Sequence, residues 1–74
     1  MEKEKKLTLS KLKHILKNND NFKDMHESKQ FGQERYVIYF QYVIYSNTFK
    51  ALKKFNNDFF VMTNDEFLIL VIYK

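Results

Sequence analysis

The sequence predicts a small α+β domain: a two-layer sandwich of two short helices on an antiparallel sheet of three to four strands, in the order α-(β)-β-α-β-β. Three observations lead there. Apolar residues recur at helical spacing between residues 8 and 18 and again between 47 and 55. Residues 35–45, RYVIYFQYVIY, are almost all β-branched or aromatic. Residues 58–63 and 66–73 are two further apolar runs on either side of Asn64 and Asp65.

Each element has a local reason. Residues 1–6, MEKEKK, contain nothing that can be buried and are expected to be a solvated tail ahead of a single domain, 7–74. Thr8 suits the N-cap of the first helix, with Leu7 and Leu12 placed as a hydrophobic staple. Leu9, Leu12, Ile15 and Leu16 form its apolar stripe, and Asn18 and Asn19 can stop it. Residues 19–34 are polar and hold the only glycine, Gly32. So long a loop is unusual in a small domain, so a short strand near Phe22–His26, returning through Ser28 to Gly32, is expected.

In the 35–45 strand the even positions, Tyr36, Ile38, Phe40, Tyr42 and Ile44, are expected to face the core. The odd positions, Arg35, Val37, Tyr39, Gln41, Val43 and Tyr45, would form a second, half-wet face. The second helix has Ser46, Asn47 or Thr48 as its cap, Phe49, Leu52 and Phe55 inward, and Lys50, Lys53 and Lys54 outward. Asn64 and Asp65 suit the tight turn of a closing hairpin. Its last strand is apolar on both faces, Phe67, Ile69, Val71 and Tyr73 on one and Leu68, Leu70 and Ile72 on the other, as in a strand buried on both sides.

Composition excludes several chemistries. A 74-residue chain is one domain with a thin stability margin, and without cysteine it has neither disulfides nor a cysteine-based zinc site. No apolar stretch follows the lysine-rich start, and the longest apolar run, Phe67 to Tyr73, is far too short to span a bilayer. A reducing, cytoplasmic location is expected. His14 and His26 are the only histidines. With Asp24 and Glu27, His26 has the residue types of an acid–base or metal site, but no ligand spacing accompanies it, and two surface histidines are the simpler expectation. Ser10, Ser28 and Ser46 lack a nucleophile context, and one glycine cannot build a phosphate-cradling loop. Asp58, Asp65 and Glu66 are ordinary turn and strand-end acids. No catalytic residue, metal or cofactor is expected.

The formal charge is +4, unevenly spread: +3 over residues 1–20, −1 over 21–34, +4 over 35–57 and −2 over 58–74. Positive charge therefore collects on the two helical segments, at Lys11, Lys13, Lys17, Lys50, Lys53 and Lys54. Two short helices can cover one face of such a sheet but not both. The odd positions Arg35, Val37, Tyr39, Val43 and Tyr45 are thus expected to lie on an uncovered face that binds a larger protein, unless residues 1–34 wrap over it. A homodimer through that face, or through an edge at residues 66–73, would hide the same surface.

A non-catalytic protein-binding module acting by occlusion is the leading expectation. The lysine rims would steer it toward an acidic surface or a nucleic-acid-handling protein. Lysine, asparagine, phenylalanine, tyrosine and isoleucine are abundant, and their codons are AT-rich. That style is common in short proteins of phages and other mobile elements. An inhibitor of a host or defence protein, in the manner of an anti-CRISPR, is the concrete version. The alternative is a small basic nucleic-acid-binding regulator, with the lysines on phosphates and Tyr39 and Tyr45 stacking on bases. Against it stand a single arginine and the lack of any RNP-like, KH or helix-turn-helix pattern. A ribonuclease toxin built on His26 is a third expectation.

Overall fold

A computed structural model describes residues 6–74. The expected tail, apart from Lys6, lies outside the described residues. The elements are α1 (Leu9–Leu16), β1 (Phe22–Gln30), β2 (Gln33–Phe40), α2 (Ser46–Leu52), β3 (Phe59–Thr63) and β4 (Leu68–Tyr73). They form an α+β sandwich with one antiparallel four-stranded sheet, in the spatial order β1-β2-β4-β3. Among the described residues no helix is long and apolar enough to cross a membrane.

Both helices lie on the same face of the sheet. Leu12 and Leu16 from α1 and Leu52 from α2 share one core with Tyr36, Ile38 and Phe40 of β2 and Leu70 and Ile72 of β4. These are the inward positions that strand alternation assigns. Phe40 is fully buried, with the Phe22 ring edge-on at 6.2 Å. The Thr8 hydroxyl caps α1 by accepting from the Lys11 amide at 3.3 Å. Tyr45 sits at the cap of α2 without a side-chain bond to the helix amides, so none of Ser46, Asn47 and Thr48 takes the expected capping role. Thr48 is instead buried between the helices, where its hydroxyl accepts from the Asn19 amide at 3.5 Å.

Asn57 fastens the layers together. Its side-chain carbonyl accepts from the Leu7 amide at 2.8 Å, and its amide donates to the Tyr73 carbonyl at 2.7 Å. One buried side chain thereby ties the segment entering α1 to the end of β4.

Three expectations change. The strand near Phe22–His26 exists but runs on to Gln30, and it turns into β2 through Phe31 and Gly32, with φ of 55° and 77°. Two consecutive positive φ values make a two-residue type I′ turn, which matches the twist of the strands. The 35–45 strand begins earlier, at Gln33, and ends at Phe40. The Gln41 amide donates back to the Asn21 carbonyl at 2.8 Å, Tyr42 takes φ 73°, and the Val43 amide closes a tight turn on the Gln41 carbonyl at 2.9 Å. Tyr42, expected inward, is 85% exposed, whereas Ile44 does reach the core. Finally, β4 lies between β2 and β3, so residues 66–73 are the middle of the sheet and offer no edge for dimerisation.

Candidate protein-binding face

The second face of the sheet is covered by no described element. Residues 6–34 are spent on α1, which joins the helical layer, and on β1, which extends the sheet sideways. They do not wrap over it. Strand register places the face's residues: Asp24, His26 and Ser28 from β1, Arg35, Val37 and Tyr39 from β2, Ile69, Val71 and Tyr73 from β4, and Phe60 and Met62 from β3.

Its centre is apolar. Val37, Ile69 and Val71 are nearly buried although no layer lies above them, because larger neighbours lean over them. Tyr39 stands between His26, at 5.7 Å, and Phe67, edge-on at 5.6 Å. Phe60 and Tyr73 form a second aromatic pair at 5.9 Å. Phe60 and Met62 remain 41% and 48% exposed. Toward the β1–β2 turn the face becomes polar. The Arg35 guanidinium donates to the Gln30 side-chain carbonyl at 2.7 Å and the Ser28 hydroxyl at 3.2 Å, which fixes its direction. Aromatic anchors beside a fixed arginine are the residue types enriched in protein interfaces.

The structure brings together three of the five expected binding residues, Arg35, Val37 and Tyr39. Val43 and Tyr45 are not with them. The alternation that would carry them onto the face is broken at Tyr42, and both lie beyond the end of β2. Tyr45 donates its hydroxyl to Asp20 at 3.0 Å. That hydrogen bond, with the negative charge of Asp20 beside it, raises the phenol pKa above its ordinary value. Phe60, Met62 and His26 belong to the face and were not expected there. For Phe60 and Met62 the available signal was their period-two spacing opposite the alternating β4.

The helix lysines occupy the opposite side of the molecule. Lys11, Lys13 and Lys17 on and beside α1, and Lys50, Lys53 and Lys54 on and beside α2, are all exposed. Neither helix carries an acid. The helices run antiparallel, since Asn18 meets Tyr45 and Asn47 at one end of the groove between them while Lys11 meets Lys54 and Phe55 at the other. His14 also lines this groove, so the two histidines stand on opposite layers. Among the described residues no group of three histidine or acidic side chains could hold a metal. Acids gather on the sheet instead. Lys74 bonds Glu27, lies near Glu34 at 3.6 Å and covers the Tyr36 ring at 4.8 Å. Its pKa is raised, first by the hydrogen bond to Glu27.

The split between an aromatic sheet face and a basic helical layer separates the two parts a single-strand nucleic-acid site needs. Tyr39 and the helix lysines have the sheet between them, so one strand cannot stack on the first while its phosphates meet the second. No protein-family model, curated protein or solved structure matches the chain.

Proposed function

We propose that the chain is a non-catalytic protein-binding module that docks its uncovered sheet face on a larger protein and acts by occluding it. The observation that carries this is the second face itself. A nearly dry floor of Val37, Ile69 and Val71 is ringed by Tyr39, Phe67, Phe60, Tyr73 and Met62, with no described element to cover it. Aromatic side chains offer large contact area at small entropic cost, and a contiguous apolar patch on a small protein marks an interaction surface. The acid-free helical layer, turned outward in such a complex, adds long-range attraction to acidic or nucleic-acid-handling partners. Inhibition of a host or defence protein by a phage or mobile-element product, as anti-CRISPRs do, is the role that fits a short, AT-rich-coded protein of this kind.

The test is capture from source-cell lysate with wild type, Tyr39→Ala and His26→Ala, each with and without nuclease, read by mass spectrometry. A stoichiometric protein that survives nuclease and is weakened at least about tenfold by Tyr39→Ala supports the proposal. A partner indifferent to both substitutions sinks it. Recovery of nucleic acid that is lost when Lys50, Lys53 and Lys54 become glutamine would establish the regulator instead.

A further inference from the structure

The two edges of the sheet are unlike. β1 is guarded: it carries Lys23, Asp24, Glu27 and Lys29, and a bulge between Phe22 and Asp24 disturbs its edge. β3, Phe59–Thr63, has no charge, no proline and no irregularity in its pairing. Three of the exposed large apolar side chains of the molecule, Phe60, Val61 and Met62, are consecutive on this one strand.

The hydrogen-bond phase of β3 is fixed at both ends. The Tyr73 amide donates to the Asp58 carbonyl at 2.9 Å, and the Asn64 amide donates to the Phe67 carbonyl at 3.0 Å. With the register Phe60↔Val71 and Met62↔Ile69, positions 58, 60, 62 and 64 turn their backbone groups toward β4. Phe59, Val61 and Thr63 therefore turn their amides and carbonyls outward, away from the sheet.

We propose that β3 pairs antiparallel with β3 of a second copy of this chain, about a two-fold axis at Val61. The sequence of the strand is self-complementary in that register. Val61 meets its own copy, Phe59 meets Thr63, and all their outward groups are matched in about six interchain hydrogen bonds. Phe60 falls opposite Met62 on the second face, a favourable sulfur–aromatic pairing made twice. No like charges are opposed along the strand, because none are present. Asp58 falls opposite Asn64, and the four-stranded sheet becomes one continuous sheet across two copies. A closed two-fold contact also explains how an uncharged edge avoids open-ended aggregation. This dimer does not depend on the docking of Tyr39 and His26, which lie on the other half of the sheet.

Sedimentation equilibrium and amide exchange on the wild-type chain test it together. The expected mass is twice 9.1 kDa. The amides of Phe59, Val61 and Thr63 should exchange at least about tenfold slower than the outward amides Glu27 and Lys29 of β1, the built-in control. Val61→Lys sets two like charges opposite each other, and Val61→Pro removes an outward amide that the β3–β4 ladder does not use. Either change should give a folded 9.1 kDa monomer. A wild-type chain that stays monomeric up to about 300 µM overturns the proposal. So does a dimer whose β3 amides exchange as freely as those of β1, which would place the contact elsewhere.

Discussion

Replacing Asn57 with alanine should remove a large share of the stability of this fold. Two bonds are lost at once, from the Leu7 amide at 2.8 Å and to the Tyr73 carbonyl at 2.7 Å. Leu7 is 5% exposed, so its amide is left without water, at a cost of about 1–3 kcal/mol. The Tyr73 carbonyl is half-buried and partly recovers solvent, which adds about 0.5–1.5 kcal/mol. The expected loss is about 2–4 kcal/mol, against a total of roughly 4–11 kcal/mol for a chain of this length. Urea unfolding followed by far-ultraviolet circular dichroism reads it directly. With a slope near 1 kcal/mol per molar urea, the midpoint should fall by about 2 M or more. Asn57→Asp sharpens the test. The introduced carboxylate still accepts from Leu7 but faces the Tyr73 carbonyl without a proton. Folding should therefore raise its pKa, so the deficit is largest at neutral pH and shrinks as pH falls and the carboxyl regains a donor. A loss below about 0.5 kcal/mol for Asn57→Ala would show that the clasp is not formed in solution.

Three further outcomes are expected. Gly32→Ala should cost about 1 kcal/mol in the same unfolding assay through its φ of 77° alone, because nothing lies within 4 Å of an added Cβ. Tyr42→Gly, at φ 73° and largely exposed, should by the same reasoning cost nothing or stabilise. The bond from Tyr45 to Asp20 favours the protonated phenol in the fold. Its contribution is intact at neutral pH and is lost as pH rises through the elevated pKa. A phenolate absorbance titration should lose its displaced alkaline component in Tyr45→Phe. An unchanged titration would dissociate Tyr45 from Asp20.

The elements with a strong side-chain period were legible in the sequence, and those set by distant contacts were not. Leu68–Tyr73, apolar on both faces, reads as an interior strand, and with β2 it is one of the two strands that have a neighbour on each side and helices above them. Leu12, Leu16 and Leu52 fall where helical spacing puts them. The end of β2 had no local mark. Gln41 and Tyr42 continue the alternation, and neither is a habitual turn residue. The strand stops because Asn21 captures the Gln41 amide, a contact twenty positions away in the chain. That single event moved Val43 and Tyr45 off the candidate face. The length of β1 was hidden for a different reason: an outer strand needs backbone partners on one side only, so its side chains can remain polar. The face's aromatic ring was half visible, because β4 announced its second face while β3 and its register were needed to add Phe60 and Met62.

The place of β4 also governs how the chain is made. Of the four strands it leaves the ribosome last, yet it is the only bridge between the β1–β2 hairpin and β3. Until it emerges, a nascent chain holds two unconnected pieces, neither able to close a core. Folding is then a single late event on the finished sheet sequence, and a product cut short before Leu68 lacks the keystone and is open to proteolysis. Joining the two halves of the sheet therefore waits on the synthesis of Leu68–Tyr73.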